Sequence, residues 1–232
     1  MRNNCLLFLC VFFLPDCFAA ISISSVDNFS STSEGWQIGG AGIQPTRVGS
    51  AGPDSQIGFL SHFSDGSSKQ GKWLMWTSQS DWTGNYSSAG VTSIGFAANV
   101  SSGTAPVLMR IAFDGPGGWF FSTAQSVGSG WNQFTFNLDA TNFTYAASSG
   151  GTATFLDTLS GVTRFEILAG SGSVTYRSGG DIVQAGNSAN TILIDNIVAV
   201  PEPSAGALLI SAAALMLCVQ KRKAAQSAAV HT

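Results

Sequence analysis

Histidine and cysteine, the residues that most often carry nucleophilic or zinc chemistry, are nearly absent from the centre of this chain. Between residues 20 and 199 the one histidine is His62, and the four cysteines lie at positions 5, 10, 17 and 218. Zinc sites built on His and Cys are therefore excluded from this region, and no Gly-x-Ser-x-Gly elbow offers a nucleophile. We interpret His62 as a strand or loop residue.

Carboxylates are the other side chains that could take part in catalysis or bind a metal, and eleven of them lie in this central region. A glycosidase needs two, held about 5 to 10 Å apart across a cleft. Most of these acids stand beside Gly, Ser or Asn, where turn chemistry explains them equally well. We therefore expect no catalytic residues, and polysaccharide hydrolysis is kept as a second alternative.

Two of these acids are candidates for a structural calcium site. Asp27 lies in "VDNF" and Asp195 in "LIDNI", near the two ends of the region. First and last strands of a sandwich are commonly neighbours, and Ca²⁺ prefers six to eight oxygen ligands from irregular loops. The two aspartates are predicted to share one ion. The alternative is that they cap strands or bind turn amides.

Tryptophan is the third chemical signal, because flat indole rings stack beneath the apolar faces of sugars while polar neighbours bind the hydroxyls. The stretch "KWLMWTSQSDWTGNY" is the densest in aromatic residues. Trp82, with Asp81, Asn85 and Tyr86 close by in sequence, is the leading predicted platform, and Trp119 after "DGPGG" is the second.

Core packing is the competing interpretation for the other tryptophans, because large aromatics dominate sandwich interiors. Trp73 and Trp76 are three residues apart, so on a strand they face opposite sides and at least one is expected in the core. Trp36 and Trp131 are expected to be core residues.

Short strands must position these side chains, because apolar residues alternate and helical spacing is rare. Alternation is clear in "VLMRIAF", "QFTFNL" and "NTILIDNIVAV", and Gly-rich turn signals separate such runs. A first strand is predicted around Val26–Phe29, and "TATFLDTLSGV" is predicted to hold a short helix. The pattern indicates an all-β fold, a single β-sandwich of jelly-roll type.

Charge and cysteine usage narrow the function classes further. The central region holds eleven acids and six bases, a net charge of −5. Such a chain does not favour nucleic acid, whose binding depends on neutralising phosphates. Without cysteines, stability must come from burial, backbone pairing or a metal.

Hydrophobic segments mark both ends of the chain. Residues 1–19 have the apolar run and small-residue site of a secretory signal peptide. Residues 204–220 are apolar, small or uncharged and would form a helix of roughly 25 Å. A stiff Pro201-Glu202-Pro203 triplet precedes this segment, Lys221-Arg222-Lys223 follows it, and residues 224–232 form a short tail, expected to be cytoplasmic.

The triplet, apolar segment and basic cluster in residues 200–223 resemble the PEP-CTERM sorting signal of exported proteins in Gram-negative bacteria that make exopolysaccharide. The resemblance implies recognition and cleavage by a membrane exosortase, a transient anchor in the inner membrane, and release to the cell surface or extracellular matrix. A simple C-terminal anchor with a Pro-rich linker is the alternative.

Residues 20–199, from "VDNFSS" to "TILIDNIVAV", are similar to carbohydrate-binding modules of galactose-binding-like and jelly-roll type, and more distantly to the laminin IV (laminin B) domain. The resemblance implies a non-catalytic β-sandwich that binds exopolysaccharide. The alternative function is a structural or adhesive matrix protein without a sugar site.

Overall fold

Alternating apolar residues direct the central chain into strands, as the sequence predicts. In "VLMRIAF" the residues Val107, Met109, Ile111 and Phe113 are all buried on one face. The computed structural model describes residues 21–22, 25–39, 43–65, 73–147, 154–177, 181–186 and 189–201. The predicted signal peptide (residues 1–19) lies outside these ranges. So do Glu202, Pro203, the apolar segment and the Lys221-Arg222-Lys223 cluster of the predicted sorting signal, and the tail at residues 224–232.

Fifteen strands, one 3₁₀ turn (Ala140–Asn142) and one helix are formed by the described residues. The strands are β1 (Val26–Asp27), β2 (Gln37–Ile38), β3 (Thr46–Ala51), β4 (Ile57–Ser64), β5 (Leu74–Thr77), β6 (Val91–Gly103), β7 (Val107–Asp114), β8 (Trp119–Ser122), β9 (Gln125–Val127), β10 (Asn132–Asn137), β11 (Phe143–Ala147), β12 (Arg164–Gly170), β13 (Val174–Arg177), β14 (Asp181–Gln184) and β15 (Asn190–Pro201).

Two antiparallel sheets form the sandwich. Sheet A has the strand order β10-β6-β15-β4-β3, with β1 also paired to β15. Sheet B has the order β11-β8-β7-β12-β5-β2, with β9 also paired to β7. The first and last strands are neighbours, as predicted, because Val26 lies opposite Val198. The all-β jelly-roll sandwich expected from the sequence is confirmed.

The main core lies between the sheets and is rich in aromatic rings. Phe113 of β7 stacks on Phe165 of β12 with ring centroids 5.1 Å apart, and Trp36 packs edge-on against Phe165 at 5.4 Å. Phe96 and Phe136 stack at 5.5 Å on the side of sheet A. Offset and edge-to-face rings of this kind add to the stabilisation from burial alone.

A second, smaller core lies on the outer face of sheet B, beneath a hairpin made by β13 and β14. Ile182 of this hairpin belongs to one apolar cluster with Leu74, Ala112, Trp119 and Leu168. Gln184 ties the hairpin to the sheet because its side-chain amide donates to the carbonyl of Gly170 at 2.7 Å. The β13–β14 hairpin therefore covers part of the outer face of sheet B.

The predicted helix is confirmed as α1 (Phe155–Leu159), which lies within the expected stretch. Thr154 caps it, accepting a hydrogen bond from the backbone N–H of Asp157. The buried Thr158 hydroxyl donates to the carbonyl of Gly118 at 2.7 Å. This bond fixes α1 against the turn that precedes β8.

At the carboxyl end, β15 runs through the middle of sheet A and finishes at Pro201, opposite Val91. Among the described residues we find no helix that is long and apolar enough to cross a membrane.

Candidate functional site

The leading predicted platform is wrong, because its aromatic rings are buried. Trp82 and Tyr86 are both 0% exposed and belong to the core between the sheets. The Tyr86 hydroxyl donates to the Trp82 carbonyl at 2.9 Å, and burial raises the pKa of this phenol well above its usual value. Asp81 and Asn85 are exposed, but no aromatic face of Trp82 or Tyr86 stands beside them for a sugar to stack on.

Trp119, the second predicted platform, is wrong for the same reason and lies in another part of the fold. It is 2% exposed and belongs to the cluster on the outer face of sheet B rather than to the core that holds Trp82. The structure therefore does not bring the two predicted platforms together. Instead it places Trp119 beside a third tryptophan, Trp76.

The remaining tryptophans divide as strand geometry requires. Trp73 is buried in the core and Trp76 is half-buried on the opposite face, which confirms that at least one of them is a core residue. Trp36 is a core residue, as expected. Trp131 is not, because it is only half-buried and packs edge-on against Phe59, 5.5 Å away.

Strand register explains why polar and aromatic groups converge on the outer face of sheet B. Phe165 and Ile167 of β12 point into the core, so Arg164 and Glu166 point outward. Glu166 lies opposite Trp76 of β5, on one side of β12. On the other side of β12, β7 contributes Ala112 opposite Glu166 and Asp114 opposite Arg164.

Arg164 is the centre of this arrangement. Its guanidinium carbon lies 4.0 Å from the ring centroid of Trp76 and 5.8 Å from that of Trp119. Its Nη2 lies 2.8 Å from Oε1 of Glu166, and the two side chains form an ion pair. The Arg164 side chain is 17% exposed and that of Glu166 is 0% exposed. We call Trp76, Trp119, Arg164 and Glu166 the outer-face cluster.

Burial and nearby charges shift the pKa values of Arg164 and of the neighbouring Asp114 in opposite directions. Burial lowers the pKa of Arg164, while the carboxylates of Glu166 and Asp114 raise it. Burial likewise raises the pKa of Asp114, against hydrogen bonds from Gly115 and Thr163 and the charge of Arg164. Ion pairs in such shielded positions gain little net stability relative to apolar residues, and functional sites often contain them.

The sequence contains the signal for the outer-face cluster, in "RFEIL". Alternation that sends Phe165 and Ile167 inward sends Arg164 and Glu166 outward, and the same argument sends Trp76 outward once Trp73 is in the core. What alternation does not reveal is that β12 lies next to β5, because about ninety residues separate the paired positions in sequence and the pairing is set by topology.

The predicted calcium ligands are both buried. Asp27 is 3% exposed, and its Oδ2 accepts hydrogen bonds from the indole N–H groups of Trp36 and Trp82, each at 2.6 Å. Burial raises the pKa of Asp27 to about 7, and the nearby charge of Glu34 adds to this against the two indole bonds. The Oδ2 of Asp27 is therefore already used by two indole donors in the core, which reduces its capacity to bind an ion.

Asp195 has more capacity for a cation. It is 0% exposed, its Oδ1 accepts from the backbone N–H of Asn196 at 2.8 Å, and its Oδ2 has no hydrogen-bond partner. Burial raises its pKa to about 6, with contributions from the charges of Asp54 and Glu34. A Cβ at Gly52 would collide with this Oδ2, so the glycine leaves room around the carboxylate.

Glu34 acts electrostatically on both predicted ligands, which links them. One of its carboxylate oxygens, Oε2, is buried without a hydrogen-bond partner. Within the described ranges, however, no three His, Cys, Asp or Glu side chains converge in the geometry of a metal site. The carboxylates thus have the chemistry for Ca²⁺, which also uses backbone and amide oxygens, but they are not arranged as a ready-made cage.

Comparison with known proteins supports the architecture. No protein-family model matches the chain, and no curated protein sequence matches it. Among solved structures, a family 11 carbohydrate-binding module from Clostridium thermocellum, in complex with a β-1,3-1,4-mixed-linked tetrasaccharide, is similar with a TM-score of 0.50 and 14% identity. The likeness covers 75% of this chain and 93% of that one.

The solution structure of the same kind of module, CtCBM11, has a TM-score of 0.52 and 15% identity, covering 79% of this chain and 98% of that one. The CBM22-1 xylan-binding domain of Paenibacillus barcinonensis Xyn10C has a TM-score of 0.45 and 11% identity, covering 79% and 99%. At these identities the likeness shows the fold alone.

Proposed function

We propose that this domain binds a polysaccharide on the outer face of sheet B and is not an enzyme. The observation that carries the proposal is the outer-face cluster, in which the Arg164 guanidinium lies 4.0 Å from the Trp76 ring centroid beside a fully buried Glu166. The Arg164 side chain remains 17% exposed, and a largely desolvated ion pair at this position is poorly explained by stability alone.

The chemistry of the outer-face cluster suits a sugar. Trp76 and Arg164 are its partly exposed members: an indole offers flat apolar surface to the C–H face of a pyranose, and a guanidinium donates to the hydroxyls. The buried Trp119 and Glu166 would hold Arg164 in position from beneath. The similar family 11 module was solved with a bound glucan tetrasaccharide. That module supports a saccharide as the ligand class for this fold.

Affinity electrophoresis tests the proposal. The purified full-length chain is run in gels that contain the exopolysaccharide of the producing cells or mixed-linked β-glucan, with and without Ca²⁺. We expect retardation that Trp76→Ala reduces at least about tenfold in affinity, because it removes both the ring and the seat of Arg164. Trp131→Ala, which also removes a half-buried indole but from sheet A, is the matched control and should be retarded like the wild type.

If Trp76→Ala and Trp131→Ala are retarded equally, the binding site proposed at the outer-face cluster is contradicted. No retardation of the wild type on any polymer would favour the alternative, a structural or adhesive matrix protein without a sugar site.

We also propose one structural Ca²⁺ near the pairing of β1 with β15. Asp195, whose Oδ2 is buried without a hydrogen-bond partner among the described residues, would hold it together with Asp27, and backbone and amide oxygens would complete the ligand set. The ion would neutralise carboxylates that burial destabilises. Ca²⁺ should raise the melting temperature of the EDTA-treated chain, and Asp195→Asn should remove most of that increase. A melting temperature independent of Ca²⁺ would contradict the proposal.

Export and sorting complete the proposed function. Residues 1–19 would direct secretion, and Pro201-Glu202-Pro203 with the following apolar segment and Lys221-Arg222-Lys223 would hold the chain at the inner membrane until an exosortase cuts it. The domain would then reach the cell surface or the extracellular matrix. Intact-mass analysis of the surface protein tests this, since a mature chain that retains residues 221–232 would indicate a permanent anchor instead.

A further inference from the structure

A second arginine on the outer face of sheet B has no hydrogen-bond or ion-pair partner among the described residues. Arg110 lies on β7 between Met109 and Ile111, which both point into the core, so its side chain points outward. The side chain is half-buried, and its Nε and Nη1 are shielded from solvent without a hydrogen-bond acceptor. Burial lowers the pKa of this guanidinium, with no carboxylate acting against it.

The carboxylates of this face serve Arg164 rather than Arg110. Glu166 bonds Arg164 directly, and Asp114 lies opposite Arg164 in the strand register. Arg110 lies four residues back along β7 from Asp114, opposite the apolar Leu168. No carboxylate among the described residues therefore compensates the charge of Arg110.

An unpaired, shielded cation is costly, and the cost is reduced when an anion that is already dehydrated by its polymer binds it with paired hydrogen bonds. A guanidinium matches carboxylate and sulfate oxygens with paired hydrogen bonds, which an uncharged sugar hydroxyl does not reproduce. The chain as a whole carries a net charge of −3, so a general basic character does not account for Arg110. The position of Arg110, on the same face of sheet B as the outer-face cluster, accounts for it instead as a ligand-binding residue.

We propose that the polysaccharide bound by sheet B is acidic, and that Arg110 binds its carboxylate or sulfate groups while Trp76 and Arg164 of the outer-face cluster contact the rest of the sugar chain. This inference rests on the proposed function. It adds the chemical class of the ligand and assigns specificity to a residue outside the cluster.

The test compares one polymer in three chemical forms. The exopolysaccharide of the producing cells is used native, after carbodiimide and borohydride reduction of its carboxylates to alcohols, and after solvolytic desulfation. Dissociation constants for the full-length chain are measured by affinity electrophoresis. We expect binding to the native polymer and a loss of at least about tenfold on one of the two treated forms, which tells carboxylate from sulfate.

Variants locate the effect. Arg110→Gln should weaken binding to the native polymer at least about tenfold and should bind the treated polymer no worse than the wild type does. Arg110→Lys, which keeps the charge but loses the paired geometry, should fall between them. Gln133→Glu, an exposed position on sheet A, changes the net charge by the same amount as Arg110→Gln and should bind like the wild type.

The outcomes separate this inference from the proposed function. Equal binding to all three polymer forms, or an Arg110→Gln variant that binds like the wild type, overturns the acidic ligand and leaves a neutral polysaccharide on sheet B. Absence of binding to any form overturns both. If Arg110→Gln fails to fold, as judged by near-ultraviolet circular dichroism, Arg110→Lys and the polymer comparison still decide the inference.

Discussion

At the scale of single residues, the tryptophans differ in the acceptor to which the indole N–H donates a hydrogen bond. Trp36 and Trp82 both donate to Oδ2 of Asp27, and Trp73 donates to the carbonyl of His62 at 2.9 Å. Buried polar groups need such partners. A tryptophan next to polar residues in sequence is therefore not necessarily exposed, because the polar partner of its ring can be buried with it.

Trp82 is predicted to contribute to stability rather than to binding. Trp82→Ala should lower the free energy of unfolding by about 3 to 5 kcal/mol, since it opens a cavity and leaves Asp27 with one indole donor fewer. Urea denaturation followed by fluorescence measures this. Trp131→Ala, at a half-buried position, should cost clearly less. Equal losses for the two variants would contradict the burial of Trp82.

Stability in EDTA should fall as the pH rises from about 4 to about 7. The folded chain holds the Asp27 proton up to a pKa of about 7, whereas the unfolded chain releases it near 3.8. Protonation therefore favours the folded state throughout this window, and the favourable contribution is lost as the pH passes 7. Asp195, with a pKa raised to about 6, acts in the same direction.

Urea denaturation at pH 5, 6 and 7.5 measures the slope, and Asp27→Asn should make it shallower because asparagine carries no titrating proton and still accepts from the indoles. A stability that rises across this range, equally in both chains, would contradict the raised pKa of Asp27.

At the scale of elements, α1 shows how tight packing depends on a residue without a side chain. The turn before β8 brings Gly117 against the start of the helix. A Cβ there would collide with the carbonyl of Thr154 and lie 2.6 Å from the Thr158 hydroxyl. Alanine at this position must therefore push α1 away from sheet B.

Gly117→Ala should lower the free energy of unfolding by about 1 to 3 kcal/mol through this overpacking. Gly128→Ala is the matched control, because a Cβ at Gly128 meets no atom within 4 Å. Thermal unfolding of both variants compares them. If both melt with the wild type, α1 does not pack against this turn.

The alternation of apolar residues predicts where strands form better than it predicts which strands pair with each other. The inward faces of β7, β10 and β15 follow from their apolar spacing, and the short helix follows from a Thr cap and a terminating Gly. The two-residue strands β1 and β2 are too short for a pattern to define. Their pairing is set by contacts with β15 and β5, far away in the sequence.

At the scale of the whole molecule, β15 organises sheet A because it pairs with β6, β4 and β1. Residues 21–201 should therefore fold without the rest of the chain, whereas residues 21–189 should not, since they lack the central strand of the sheet. Near-ultraviolet circular dichroism and cooperative unfolding distinguish the two fragments. A folded 21–189 fragment would show that β15 is dispensable.

The fold was accessible from the sequence because burial of one face imposes a period of two on strands such as β7, β10 and β15. The candidate site was accessible only in part. Trp119 was identified from its place after a turn, but Trp76, Arg164 and Arg110 belong to three strands whose order in sheet B depends on long-range pairing. The choice of Trp82 failed because local polarity did not reveal that Asp27, fifty-five residues earlier, is buried with it.

The central position of β15 also has a mechanical consequence. A tether at Pro201 transmits tension directly into this strand, which is hydrogen-bonded to β6 on one side and to β4 and β1 on the other. Force along the strand loads these bonds together in shear, whereas force on an edge strand would peel them one at a time. A domain gripping a polymer on sheet B while held at this end would resist extension through its strongest direction.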